Sequence, residues 1–357
     1  MLNFFYLQKL HLNPTLKKIL KFFIISALLV LFLWLSLRSV DFHDFVDKLS
    51  KVNYFLAIAG GIVGVVIGSY LRALRWRYFL NPIKPNIGMK NLFSTVMIGY
   101  MSNLVFPRAG EVSRPFILAK NENISKGAAF GTILVERIFD VLSVLVAFGI
   151  CLFFYKDKLS HVLPEYNIET IALVLSILVF AAVIFILIVI FNLEKSEKII
   201  GVITVKILPK KIQAKIQAGL VSVINGFLFI KYPRQYLPIF IYSVGIIFMY
   251  VLSTYITFFA CNIDNLTLMD ANLVLAMITL PMFLPLPGNS AGAFHYVCTG
   301  TLVNMFGIDR EVAFSYATIN HLVGLLLQVI IGAYYFFREN YKVKDIKEST
   351  EIETIKK

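Results

Sequence analysis

Six stretches of this chain are apolar almost without interruption: 20–38, 54–76, 127–155, 168–192, 236–260 and 312–337. A helix crossing the hydrocarbon core of a bilayer needs about 20 mainly apolar residues. In that solvent every backbone polar group must be satisfied within the chain, which leaves helices or closed barrels. The runs lack the two-residue alternation of barrel strands, so they predict membrane-spanning helices. Composition agrees. Only 15% of residues are charged and 58% are hydrophobic, where soluble domains carry about 25% charged residues.

The net charge is +13. In a soluble protein such an excess would suggest nucleic acid, but here the basic residues sit in short linkers between apolar runs. That is the positive-inside pattern, and nucleic acid is excluded as a partner. Lys9, Lys17, Lys18 and Lys21 precede the first run. Nine basic residues lie in 72–126, eight in 193–235 and six from Arg338 onward, but none in 261–270. This alternation predicts that both termini are cytoplasmic. It also predicts that 88–118 enters from the cytoplasmic side and returns, and that 271–306 does so from the other side. The expected fold is all-α and polytopic: six full spans and two re-entrant hairpins. The expected divisions are an N-terminal segment 1–21, one membrane domain 22–337 with halves 22–155 and 168–337, and a charged tail 338–357. Ile212, Ile216, Leu220, Val223, Ile224 and Phe227 share one helical face, so 194–235 reads as an interfacial helix. The run after Lys21 resembles a signal peptide, but no small-residue cleavage site follows closely, so a retained span is expected.

Both hairpin segments are broken by Pro and Gly. Pro107 and Gly110 precede Phe116, and Pro285 and Gly288 precede Phe294, with Pro287 between, so both read P-x-x-G-x5-F. The spans that follow pair without gaps, Ala129 with Ala313, Glu136 with Asn320 and Arg137 with His321. An odd number of crossings per half would invert one half relative to the other. In inverted-repeat transporters the substrate site lies near mid-membrane at the repeat interface.

Few residues carry chemistry. Pro107, Arg108, Gly110, Glu111 and Arg114 form P-R-x-G-E-x-x-R, where helix breakers free backbone groups beside two arginines suited to phosphate. An ordinary basic loop would have the same residues. Glu136, Arg137 and Asp140 form E-R-x-x-D inside the third run. Glu136 and Asp140 share a face, and Arg137 reaches Asp140. A charge at mid-membrane costs about 2.5–3.5 kcal/mol on insertion scales, so these three must face protein or a wet cavity. They form either a headgroup or proton site or a structural ion network. In the second half Asn289, Ser290, His295, Asn320 and His321 are the milder counterparts, open to interhelical hydrogen bonding or, for His321, to proton switching. Arg72, Arg75, Trp76 and Arg77 close the second run and read as an interfacial anchor that could touch lipid phosphate. Cys151, Cys261 and Cys298 have no metal spacing and read as apolar helix residues. No metal or cofactor motif and no catalytic constellation appears.

The segments "NLVFPRAGEVSRPFIL", "ERIFDVL" and "LPLPGNSAGAFHYV" resemble the lysylphosphatidylglycerol synthase transmembrane-region family, over about residues 20–338. That family includes the flippase part of the bacterial multiple peptide resistance factor. The resemblance implies movement of a phospholipid or related polar lipid between the leaflets of a prokaryotic plasma membrane, bacterial or archaeal. By motif, Arg108, Glu111, Arg114, Glu136, Arg137 and Asp140 would line the headgroup pathway, with Arg108 and Arg114 on phosphate. The family's aminoacyl-transferase part has no counterpart in the short tail, so no synthase activity and no cofactor are expected. Expected partners are membrane lipids, mainly anionic phospholipids. Two other classes stay open: an intramembrane enzyme using Glu136 or Asp140 on a lipid-linked substrate, and a scaffold for a lipid-synthesis enzyme. Oligomeric state is not legible.

Overall fold

The computed structural model describes residues 40–105, 108–162, 225–282 and 287–339, with scattered residues in 27–38, 170–184 and at 222–223. Regular structure among them is entirely helical, with no strand. A short helix α1 (Phe42–Ser50) precedes α2 (Tyr54–Leu80), α3 (Met89–Val105), α4 (Ala109–Glu122) and α5 (Lys126–Val162). After 3-10 turns at Asn225–Lys231 and Pro233–Gln235 come α6 (Tyr236–Ala260), α7 (Leu268–Met282), α8 (Pro287–Phe306) and α9 (Arg310–Arg338). Four described helices are long and apolar enough to cross a membrane: Tyr54–Leu80, Lys126–Ser160, Pro233–Ala260 and Arg310–Arg338. They coincide with four of the six runs; 20–38 and 168–192 lie largely outside the described residues. The large apolar side chains on their outer faces are exposed, among them Phe55, Phe153, Phe240 and Ile330. In water such faces would be a liability, whereas lipid is their natural solvent.

Local chemistry sets the helix ends. Asn53 caps α2 by accepting from the Leu56 N–H at 3.2 Å, and its own N–H donates to the Ala260 carbonyl at 2.8 Å, tying the start of α2 to the end of α6. Asp309 caps α9 through the Val312 N–H. Such caps satisfy donors a helix start leaves open. Pro287 is the first residue of α8, where its missing N–H costs nothing. Pro115 lies inside α4 without ending it. Pro107, Pro285 and the side chain of Asn289 fall outside what is described.

The helices pack through small residues. Gly60, Gly64 and Gly68 recur every fourth residue on α2 and receive α6: a Cβ on Gly64 would lie 2.6 Å from Ser253 Oγ, and one on Gly68 would lie 3.1 Å from the Tyr250 ring. The Ser253 hydroxyl donates to the Gly60 carbonyl at 2.7 Å. Close backbone approach through small residues is how helices associate in lipid, where no hydrophobic drive pulls them together. A π-helical turn, Ile62–Ile67, interrupts α2 beside this face. Within the first hairpin, a Cβ on Gly110 would sit 2.3 Å from the Gly99 carbonyl oxygen. The end of 194–235 is described only from 222. Its 3-10 turn buries Gly226, Phe229 and Ile230, with Gly226 pressed on Gly131 of α5.

The hairpins α3–α4 and α7–α8 lie between the long helices. α3 packs on α4 and α9, α7 packs on α8 and α5, and α3 touches α8. Tyr155 kinks α5 (φ −113°, ψ 17°), and its hydroxyl donates to Asp270 at 2.6 Å, fixing α5 to the start of α7.

Candidate functional site

Arg72 and Arg75 lie one turn apart on α2, and both point at α5. Arg72 Nη1 donates to Glu136 Oε1 at 2.6 Å and to Asp140 Oδ2 at 2.7 Å. Arg75 donates to Asp140 Oδ1 at 2.5 Å and to Ser243 Oγ of α6 at 3.1 Å. From α4, Arg114 reaches both Glu136 oxygens, at 2.9 and 3.0 Å. Arg137 closes the network at 3.1 Å from Glu136 and 3.3 Å from Asp140. Four arginines from three helices thus share two carboxylates. Glu136 is fully buried and accepts from Arg72, Arg114 and Arg137.

Trp76 braces the network. Its ring lies beneath the Arg114 guanidinium at 4.7 Å, and its Nε1 donates to Thr132 Oγ1 at 2.9 Å. Gly99 makes the path for Arg114, since a Cβ there would come within 2.3 Å of the Arg114 Cγ.

The interfacial-anchor expectation for Arg72, Arg75 and Trp76 is therefore corrected. Their side chains are buried, with Trp76 at 0% and Arg75 at 1% exposure, because α2 continues beyond them to Leu80 and α5 supplies their counter-charges. Arg77, on the opposite side, is only half-buried. Arg114 is corrected as well. It is spent on Glu136 and Trp76 and does not line the cavity described next.

A cavity of ≈570 Å³ lies between the helices, and α2 through α9 all line it. Arg72, Arg75, Arg137, Asp140 and Ser243 line one end. From Arg75 the lining follows α2 back to Ala57, about 27 Å at ~1.5 Å per residue. Much of the remaining wall is apolar, including Val141, Val144, Leu275 and Ile278. Residues at the hairpin turns border it: Asn103, Arg108 and Glu111 from the first, Met282 and Ser290 from the second. Arg108 is exposed and left-handed (φ 62°), and Asn103 Oδ1 accepts from the Gly110 N–H at 2.7 Å. Asn320 and His321 face the same cavity from α9. His321 stacks on Phe294 (4.9 Å, 29°) and meets His295 edge-on at 5.3 Å. His295 lies behind, with Nδ1 at 2.5 Å from the Ala291 carbonyl, and does not border the cavity.

Of the expected residues, the fold thus joins Arg114, Glu136, Arg137 and Asp140 in one network, and Arg108, Glu111, Arg137, Asp140, Asn320 and His321 around one cavity. The side chain of Asn289 lies outside what is described. No group of three or more metal-ligating side chains occurs among the described residues.

The model of the lysylphosphatidylglycerol synthase TM region matches residues 19–332. The chain belongs to this family. It is a membrane protein with several transmembrane helices, and its relatives include archaeal proteins. A UPF0104 membrane protein of Methanothermobacter thermautotrophicus is 25% identical over 302 residues, 80% of this chain and 86% of that one. A UPF0104 membrane protein of Methanocaldococcus jannaschii is 30% identical over 122 residues, 32% of this chain and 36% of that one. The glycosyltransferase AglD of Haloferax volcanii is 30% identical over 132 residues, 36% of this chain and 21% of that protein. The aligned stretch thus spans about a third of the Methanocaldococcus protein and a fifth of AglD. No solved structure matches significantly.

Proposed function

We propose that this protein moves a polar lipid between the leaflets of a prokaryotic plasma membrane, with the headgroup passing through the cavity and the acyl chains remaining in lipid. The observation that carries this reading is one cavity bordered by both hairpins, rich in arginine at one end and apolar along much of its length. The charged end suits a polar headgroup.

An inverted repeat would let such a site alternate between the two sides, and several features support one. The starts of α5 and α9, Lys126 and Arg310, keep the same separation as the ends of α4 and α8, Glu122 and Phe306. Ala129 and Ala313 keep it too. Exchanging α2 with α6, α3 with α7, α4 with α8 and α5 with α9 turns the α3–α9 contact into α7–α5 and leaves α2–α6 unchanged. Left-handed residues fall in like places: Asn86 and Asn262 before α3 and α7, Arg108 and Ser290 at the starts of α4 and α8, Asn123 and Gly307 after their ends. On this reading both hairpins are re-entrant, the basic linkers and termini are cytoplasmic, and six helices span the bilayer. The chain itself makes and breaks no covalent bond.

Reconstitution into liposomes with leaflet-labelled lipids tests the proposal. Transfer above protein-free liposomes for at least one headgroup class is expected; none across anionic, zwitterionic and cationic lipids would overturn it. The likeness to a protein named a glycosyltransferase favours one second reading, in which the cavity holds a lipid-linked substrate for a partner enzyme of lipid synthesis. Co-purification of such an enzyme, without transfer, would favour that reading.

A further inference from the structure

Among the described residues of the network, four arginines (72, 75, 114 and 137) meet two carboxylates (Glu136 and Asp140). Two positive charges are in excess. A lysine in such a place could shed its proton, but a guanidinium stays charged. Buried charge without a counter-charge is strongly unfavourable, and three of the four arginines, Arg72, Arg75 and Arg114, are buried, so the site is built to receive negative charge.

The hydrogen bonding agrees. Arg72 and Arg75 are 6% and 1% exposed, both border the cavity, and the Nε–H of each has no acceptor among the described residues. The Nε–H groups of Arg114 and Arg137 are in the same state. Buried donors are nearly always paired. The carboxylates cannot serve all of these donors, since Glu136 already accepts from three arginines and Asp140 from Arg72 and Arg75, with Arg137 at 3.3 Å.

We infer that the headgroup is a dianionic phosphate, a phosphate monoester or a diphosphate, rather than a zwitterionic or amine-bearing one. The inference rests on the lipid-transport reading and narrows it to a substrate class. Oxygens of a phosphate carry several lone pairs in the arrangement that arginine forks match, and two negative charges balance the excess. An added amine on the headgroup would bring a third positive charge to a cavity end that already holds too many.

Binding to the full-length protein in lipid nanodiscs tests this. The probes are short-chain phosphatidic acid, a short isoprenyl diphosphate, a short-chain phosphatidylcholine, an aminoacylated phosphatidylglycerol, and free inorganic phosphate and pyrophosphate. The two dianionic lipids should bind at least about tenfold tighter than the others, the scale of one charge-assisted hydrogen bond, and should weaken as salt rises. Arg137→Gln, at a partly exposed side chain that can change without collapsing the fold, should cut that preference. Equal binding of the zwitterionic or aminoacylated lipid would overturn the charge inference and leave lipid transport standing. Binding of free pyrophosphate with none of the lipids would keep the anion site and overturn the lipid reading. No binding of any probe would overturn both.

Discussion

Glu136 meets three arginines at once. Its two oxygens hold arginines from α2, α4 and α5, so three helices depend on one carboxylate. Removing one partner of a buried charge pair costs roughly 3–5 kcal/mol because the other is left uncompensated. Glu136→Gln should therefore lower the melting temperature in detergent sharply, or prevent accumulation of folded protein, whereas Arg137→Gln should shift it little. Equal melting of Glu136→Gln and wild type would show that the network is not structural. Gly110 has the second strict requirement. A Cβ there falls 2.3 Å from the Gly99 backbone oxygen, which cannot swing aside as a side chain tip could. Gly110→Ala should cost about 1–3 kcal/mol through overpacking, again read as thermal stability, and Gly110→Val more. The E-R-x-x-D spacing was legible in the sequence because its members are neighbours on one helix. Arg72 and Arg75 were not, because their partners lie more than sixty residues away and an arginine near the end of an apolar run has the appearance of an anchor. The available signal was their spacing of three, which puts both on one helical face.

Among the elements, apolar length alone located the long helices, and Pro and Gly located the hairpin turns. The π-turn in α2 and the kink at Tyr155 left no pattern in the sequence, since both answer to neighbours distant along the chain. The four-residue glycine repeat of α2 is a visible sign of close helix packing, and its partner α6 became clear only from the fold. The first hairpin is clamped at its base. Lys84 Nζ donates to the Glu122 carboxylate at 2.7 Å and to its carbonyl at 2.8 Å, and Asn91 donates to the carboxylate at 2.5 Å, joining the linker before α3 and the first turn of α3 to the end of α4. Burial of Glu122 opposes its ionisation, but these donors outweigh it and hold the carboxyl below the ordinary glutamate value of 4.5. The clamp's stabilisation is therefore present above that value and is lost as the pH falls through the lowered one. Melting temperature should fall with acid in the wild type, and Glu122→Gln should flatten that part of the profile. An unchanged profile would remove the clamp from the account of stability.

For the whole molecule, the fold gathers residues from eight helices around one cavity, with Arg72, Arg75, Arg137 and Asp140 together at one end. The sequence foretold which segments would break and which charges would need shelter. It could not foretell that the two hairpins border one cavity, because that depends on α3 packing against α9 and α7 against α5, contacts between opposite halves of the chain. The cavity as lipid route is tested most directly by plugging it. Val144 and Val146 are on the same helix, but Val144 lines the cavity while Val146 is 52% exposed on the outer face. In the liposome assay Val144→Trp should abolish or strongly reduce lipid transfer while the protein stays folded and monodisperse, and Val146→Trp should transfer at the wild-type rate. Wild-type transfer by a folded Val144→Trp protein would contradict a route through the cavity.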